Sequence, residues 1–336
     1  MATPPIPQSS LGAEPNPDAR LRFIEVVRRR LRERRYSRRT EEAYVHWIRR
    51  FIQFHDRRHP RELGEADVAA FLSALAVEGQ VSASTQKQAW AALVFLYDRV
   101  LARPLGDLGT FASARVSTSV PTVLSEREVR ALLRLLAPVP RLCAQLMYGS
   151  GLRVSECVSL RVKDIDVDRL SIVVYGGKGM KDRRVPLAER WVGDLTAHLR
   201  HARERYQDDV CRKIRLTALP LALSRKYPNA DRDWRWRYVF ASPRTYVDSS
   251  DVRRRHHLDA TVLQRAIPAA ALRANLTKRV TCHTLRHSFA THLLESGVDI
   301  RRVQVVMGHT DVRTTMRYLH VAERGGSGVR SPGDRL

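Results

Sequence analysis

The sequence predicts a mainly α-helical chain with one small antiparallel sheet, divided into two domains. Three observations lead there. Apolar residues recur at three- and four-residue spacing over most of the chain. A single pair of short apolar runs, Leu170–Val174 and Arg184–Leu187, brackets a glycine-rich turn and reads as a hairpin. Residues 103–122, rich in Pro, Gly, Ser and Thr, separate a pair of helical blocks in a chain of 336 residues, a length that suits two domains.

The elements follow in order. Residues 1–19 carry Pro4, Pro5, Pro7, Pro15 and Pro17 and read as a loose tail, with neither a secretory signal nor an Arg-rich transit peptide. Residues 20–102 form the first domain. Its opening helix sets Leu21, Ile24, Val27 and Leu31 at helical spacing among ten arginines in residues 20–39. Thr40, followed by Glu41 and Glu42, reads as the cap of a second helix through Tyr44, Trp47, Ile48, Phe51 and Phe54. Two more helices run through Val68–Leu75 and Trp90–Leu101. After the 103–122 linker, Ser125-Glu126-Arg127-Glu128 is a capping box that opens the second domain, 123–324. A short helix resumes after the Gly149-Ser150-Gly151 break, then come the hairpin and a charged helix over 189–207. Residues 208–240 show no clean period and carry two prolines and the aromatic-basic run Trp234-Arg235-Trp236-Arg237-Tyr238. Helices return over Asp259–Ala274, Thr281–Ser296, Asp299–Met307 and Asp311–His320, and 325–336 is a second tail.

Composition narrows the function. Lys and Arg number 59 against 35 Asp and Glu, a formal charge of +24, while 43% of residues are hydrophobic. Such a chain buries a core and meets a polyanion, most commonly nucleic acid. No apolar run reaches the length of a transmembrane helix, so no membrane partner is expected. Cys143, Cys157, Cys211 and Cys282 are widely spaced without a C-x-x-C pair, which points to a reducing cytoplasm and against a disulfide framework.

Three clusters carry chemistry. Arg153 and Glu156 sit one turn apart behind a glycine break, His283 and Arg286 share a helical face, and Gly308-His309 precedes Tyr318. Singly each has a bland reading: a solvated ion pair, a packed tyrosine. Together they suit phosphodiester cleavage by an enzyme nucleophile. A tyrosine hydroxyl attacks phosphorus, guanidinium forks hold the non-bridging oxygens, and an acid and a base move the protons. Lys178, in the turn Gly176-Gly177-Lys178-Gly179, is placed to be the acid.

Arg153, Lys178, His283-x-x-Arg286, His309 and Tyr318 stand in the order and contexts of the tyrosine recombinases, the phage-integrase family. The stretches His283-Thr284-Leu285-Arg286-His287-Ser288-Phe289-Ala290-Thr291-His292 and Met307-Gly308-His309 resemble that family's motifs, and the resemblance spans residues 20–330. It implies a SAM-like helical DNA-binding domain and a catalytic domain that clamp DNA, with four protomers assembling on it. It implies no cofactor. Tyr318 would form a 3′-phosphotyrosyl link, Arg153 and Arg286 would hold the phosphate, His283 would be the base, His309 a stabiliser and Lys178 the acid.

A narrower resemblance comes from residues 208–240, which resemble an insertion in one branch of that family. Arg225-Lys226-Tyr227-Pro228-Asn229-Ala230, Trp234-Arg235-Trp236-Arg237-Tyr238-Val239-Phe240 and Arg254-Arg255-His256-His257-Leu258 resemble integron integrases, from which Arg237, Ala241 and Leu319 are small departures. This implies cassette recombination between attI and attC sites, including attC hairpins folded from one strand. Trp234, Trp236, His256 and His257 would then stack on extruded bases. Arg28 and Arg35 in the basic first helix are candidates for phosphate contact. His283 and His287 also have the spacing of a metal pair, but no glutamate completes His-Glu-x-x-His, so no metal is expected and His287 and His292 read as supporting residues. The rivals are a phage-type integrase or resolvase, a topoisomerase of the same chemistry, and an inactive DNA-binding protein. The insertion argues against the topoisomerase, and the intact catalytic set against the inactive protein.

Overall fold

A computed structural model describes residues 17–114, 121–176, 182–217, 219, 221–316 and 318. The chain divides into two compact units, with the boundary after Ser119. In the first, α1 (Pro17–Glu33), α2 (Arg38–Phe54), α3 (Glu65–Val77) and α4 (Ala83–Phe95) enclose a core that includes Val27, Leu31, Ile48, Phe51, Leu72 and Leu93, each essentially without exposure. Side chains of this size contribute roughly 1.5–3 kcal/mol each on burial. α2 starts three residues earlier than its Thr40 cap suggested. Ser37 is the cap, its Oγ accepting the Thr40 N–H at 3.1 Å, because a small hydroxyl in extended backbone reaches the first orphan amides sooner. α4 runs into a π-helical turn over Leu96–Val100 that buries Tyr97. Residues 103–114 lie along this unit. Leu105, Leu108 and Phe111 pack on its core, and Gln86 bonds the backbone of Ala112 and Ala114 at 2.7 and 2.9 Å.

The second unit opens on the Ser125–Glu128 capping box, with reciprocal bonds of 3.3 and 2.7 Å that start α5 (Glu126–Arg134). Then come α6 (Pro138–Ser150), α7 (Val154–Val158) and the antiparallel sheet of β1 (Ile165–Asp166), β2 (Ser171–Val174) and β3 (Arg183–Pro186), with Ile172 opposite Val185. α8 (Val192–Cys211) runs four residues past its expected end. β4 (Arg215–Leu216) and α9 (Leu221–Lys226) follow, then β5 (Ala241–Val247) and β6 (Arg253–His257), α10 (Ala260–Arg273), α11 (Cys282–Glu295), α12 (Ile300–Met307) and α13 (Arg313–Met316). The expected last helix ends sooner than its span suggested, so Tyr318 stands in a turn, its N–H bonded to the Thr315 carbonyl. Among the described residues no helix is long and apolar enough to cross a membrane.

A second three-stranded sheet was not expected, nor was its one parallel pair, β4 beside β6. β6 reads Arg-Arg-Arg-His-His and has no apolar pattern. An ion triad pins it instead. Asp209 near the end of α8 accepts the Nη1 of Arg237 at 2.8 Å and both Nε and Nη2 of Arg255 at 2.8 and 2.6 Å. All three residues are buried. Burial pushes the Asp209 carboxyl up, and the two guanidiniums outweigh that and hold it below the usual range. Charge thus joins α8 and the irregular segment to the sheet, beside the apolar packing of Val239 and Phe240.

Candidate active site

The site begins where α6 ends. Gly151 takes a left-handed conformation (φ 63°), and a Cβ there would lie 2.5 Å from the Phe289 ring, so the break requires glycine on both counts. The turn sets Arg153 at the cap of α7, where its N–H donates to Glu156 Oε2 at 2.8 Å and its Nη1 to Oε1 at 2.7 Å. The Arg153–Glu156 pair is therefore a built contact in a half-buried site. Glu156 also receives Arg183 from β3, through Nη1 at 3.0 Å and Nη2 at 2.7 Å, and Arg286 Nη1 lies 3.8 Å away. Burial raises the Glu156 carboxyl, but the hydrogen bonds from Arg183 and from the Arg153 backbone, with their charges, hold it at about 2.

α11 is capped by Thr281 and carries His283, Arg286 and His287 within little more than one turn. Arg286 is 3% exposed; its guanidinium donates to the carbonyls of Gly151 and Met307, and Nη2 lies 3.4 Å from His309 Nε2. Burial first, then the charge of Arg153, lowers its pKa to about 10, which leaves it charged at neutral pH. α12 ends at Gly308 (φ 61°), whose carbonyl lies 3.5 Å from Arg153 Nη2. His309 Nδ1 lies 2.8 Å from Thr315 Oγ1. Burial and the neighbouring arginines lower the His309 pKa to about 4. It is therefore neutral at pH 7, and the two contacts are met together when Nδ1–H donates to Thr315 and the Nε2 lone pair faces Arg286.

Tyr318 is buried, and its hydroxyl lies 2.8 Å from His287 Nδ1 while its ring stacks on His309 at 6.2 Å. His283 is exposed, with its ring 5.6 Å from that of His287; partial desolvation and the charges of Arg286 and Arg153 lower its pKa. The structure therefore brings Arg153, His283, Arg286, His309 and Tyr318 into one neighbourhood. Lys178 lies outside the described residues. Arg183 was missed by sequence reasoning, and His287 was read only as a supporting residue. The one available signal for His287 was its position four residues after His283 on one helical face.

The aromatic candidates separate. Trp236 and Tyr238 flank Arg161, whose guanidinium carbon is 5.6 Å from the Trp236 ring and 4.4 Å from the ring of the buried Tyr238. Tyr238 is 5.6 Å from His256 and 5.1 Å from His257. Trp236 also borders a cavity of about 570 Å³ with Lys163, Tyr175 and Tyr227. Trp234 lies apart from this array, on Tyr206 and Arg203 of α8 at 5.5 and 5.0 Å. In the first unit Arg28 is half-buried with its Nε 3.7 Å from Glu25, and Arg35 is exposed in the left-handed turn that ends α1.

An arrangement of two arginines, a neutral histidine and a tyrosine hydroxyl beside a second histidine can bind a phosphodiester and attack it. The chain is similar to known proteins over most of its length. Residues 122–324 match the phage integrase family, and 23–107 match the N-terminal SAM-like domain of phage integrases. An integrase/recombinase of Escherichia coli is 49% identical over 317 residues, 94% of each chain. Tyrosine recombinase XerD of Shewanella oneidensis is 31% identical over 271 residues, 78% of each chain. Among solved structures, the Tn1549 transposon integrase in complex with transposon right-end DNA is similar in fold, with a TM-score of 0.59 at 16% identity over 93% of this chain and 96% of that one. With the matched segments covering both units and the catalytic motifs converging on one site, the chain belongs to the phage integrase family and is a tyrosine site-specific recombinase.

Proposed function

We propose that this recombinase cuts DNA through Tyr318 and recombines gene cassettes at attI and attC sites, including attC hairpins folded from one strand. The observation that carries the cleavage reading is the Tyr318 hydroxyl, 2.8 Å from His287 Nδ1, with its ring stacked on His309, which itself lies 3.4 Å from Arg286. Tyr318 Oη attacks the scissile phosphorus and bonds to it, and the bond to the 5′-oxygen breaks. With Nδ1 unprotonated, His287 accepts the tyrosine proton; the base role expected of His283 thus passes to its neighbour one turn along. Arg153 and Arg286 hold the non-bridging oxygens, and neutral His309 donates to the phosphate in its other tautomer. Lys178 protonates the leaving 5′-oxygen. A 5′-hydroxyl of a partner DNA then attacks the phosphotyrosine and regenerates Tyr318, in an assembly of four protomers acting in the cytoplasm on the nucleoid.

The hairpin reading is supported by the half-buried rings of Trp236, His256 and His257 gathered about Arg161 and the buried Tyr238; an aromatic face that meets an extruded base contributes roughly 1–3 kcal/mol. The test compares a single-stranded hairpin bearing extrahelical bases with a perfect duplex of equal length. A detergent-resistant protein–DNA adduct is expected, lost in Tyr318→Phe. Trp236→Ala is expected to weaken the bulged hairpin far more than the duplex. Equal losses on both DNAs with a lower melting temperature would make Trp236 a packing residue and remove the support for hairpins. An undiminished adduct in Tyr318→Phe would overturn the cleavage reading.

A further inference from the structure

We propose that Arg183 is a positioning residue of the phosphate clamp: the counter-charge that lets Glu156 orient Arg153 without cancelling positive charge that the scissile phosphate needs. The inference rests on the cleavage reading above and adds to it a residue outside the set expected to touch DNA.

The geometry separates Arg183 from the other two arginines. Its side chain is 6% exposed against 25% for Arg153, so it lies beneath the clamp and does not face substrate. Both of its Nη atoms are spent on the two Glu156 oxygens, and its Nε donates to the Val306 carbonyl at 2.9 Å. Glu156 in turn holds Arg153 by its backbone and its side chain. A glutamate that fixes an arginine also neutralises it. Here three guanidiniums, those of Arg153, Arg183 and Arg286, surround one carboxylate, and the balance is +2. Without Arg183 it would fall to +1, against a phosphodiester that carries one negative charge and gains more as the attack proceeds.

The same side chain fixes another element of the site. Its bond to Val306 lies two residues before Gly308, and a Cβ on Gly308 would come within 3.0 Å of the Arg183 Cδ. The chain leading to His309 is therefore laid directly on Arg183. A planar fork can serve two carboxylate oxygens and a carbonyl at once, whereas an ammonium group supplies the charge without that shape.

The experiment measures single-turnover adduct formation for the full-length parent, Arg183→Met, Arg183→Lys, Glu156→Gln and the double variant Arg183→Met/Glu156→Gln, with a melting curve for each. Arg183→Met should slow cleavage on the order of 100-fold, because the balance of charge at the clamp falls from +2 to +1 against the charge that develops in the transition state. Adding Glu156→Gln removes the carboxylate left without its partner and restores the +2 balance, so the double variant should be faster than Arg183→Met by ~10-fold. A packing role would not produce this rescue, because a second buried change compounds the first. Should Arg183→Met fail to fold, Arg183→Gln replaces it as the neutral variant. Arg183→Lys loses the fork as these do but keeps the charge, and should be faster than the neutral variant by ~10-fold. A double variant no faster than Arg183→Met, or a folded Arg183→Lys no faster than the neutral variant, would overturn the counter-charge role. The parent's own adduct reports on the cleavage reading, and the ratio between variants reports on Arg183, so the two failures are told apart.

Discussion

Replacing Arg286 by lysine separates charge from shape at the centre of the site. The guanidinium is 3% exposed and donates to two backbone carbonyls, those of Gly151 and Met307, while Nη2 lies 3.4 Å from His309. An ammonium group keeps the charge but cannot span both carbonyls and still face a phosphate oxygen. In the resting enzyme one buried carbonyl loses its partner, which costs about 1–3 kcal/mol of stability. In the transition state one preorganised donor is lost, about 2.7–4 kcal/mol, or roughly 10²–10³ in rate. The assay follows detergent-resistant adduct on a nicked duplex under single turnover, with a melting curve and a gel-shift affinity on the same preparation. Cleavage should fall by roughly 10²–10³ while affinity changes little, since most binding comes from phosphates elsewhere. A folded Arg286→Lys enzyme that cleaves at the parent rate would refute the bidentate role. So would a loss no larger than the drop in folded fraction at the assay temperature.

Tyr318→Phe should bind DNA as the parent does and form no adduct; it also loses the bond to His287, worth about 0.5–1.5 kcal/mol in a melting curve. Burial and nearby arginines lower the native pKa of His309 to about 4, below its value in the unfolded chain. Between about pH 6.5 and pH 4 the unfolded chain therefore binds more protons there, and stability falls on acidification through that window. Comparing urea midpoints of the parent and His309→Gln across it should show a shallower slope in the variant, and identical slopes would contradict the neutral assignment. Asp209→Asn leaves Arg237 and Arg255 buried without their shared counter-charge and should cost about 3–5 kcal/mol, read as a lower unfolding midpoint. DNA affinity should fall linearly on a log–log plot against salt with a slope of several phosphates, and a flat plot would refute phosphate neutralisation as the source of binding.

What was legible in the sequence follows from which forces write periodic patterns. α1 to α4 bury one apolar stripe each, so Val27, Leu31, Ile48 and Phe51 could be read from spacing alone. The Ser125 capping box and the β2–β3 hairpin are local chemistry and were equally readable. The second sheet was not, because β6 is held by Asp209 acting on Arg237 and Arg255 from 28 and 46 residues away. No window of a dozen residues contains that information. The site divides the same way. Arg153, Arg286, His309 and Tyr318 come with motifs, whereas Arg183 gains meaning only when β3 lies against α7 and α12. His287 was visible but read only as a supporting residue, because two histidines four apart are equally a metal spacing, a packed pair or a proton relay until a hydroxyl is found beside one of them.

The charge excess itself has two uses that the structure tells apart. With 59 basic and 35 acidic side chains, an arginine near a carboxylate is a matter of placement, and one buried and one half-buried carboxylate each gather more than one. Asp209 takes Arg237 and Arg255; Glu156 takes Arg153 and Arg183, with Arg286 close by. In both places burial raises the acid, and the surrounding guanidiniums outweigh it. An arginine held in this way loses its rotamer freedom once, on folding, and has none left to lose when substrate arrives. An exposed arginine such as Arg35 adds to the field that attracts a polyanion, and salt screens it. Loss of an exposed arginine should therefore move affinity and its salt slope, whereas loss of one fixed on Glu156 should move the cleavage rate. The same residue type thus serves different ends by placement: exposed it steers, fixed on Glu156 at the site it acts on the cleavage rate, and buried on Asp209 it holds the fold.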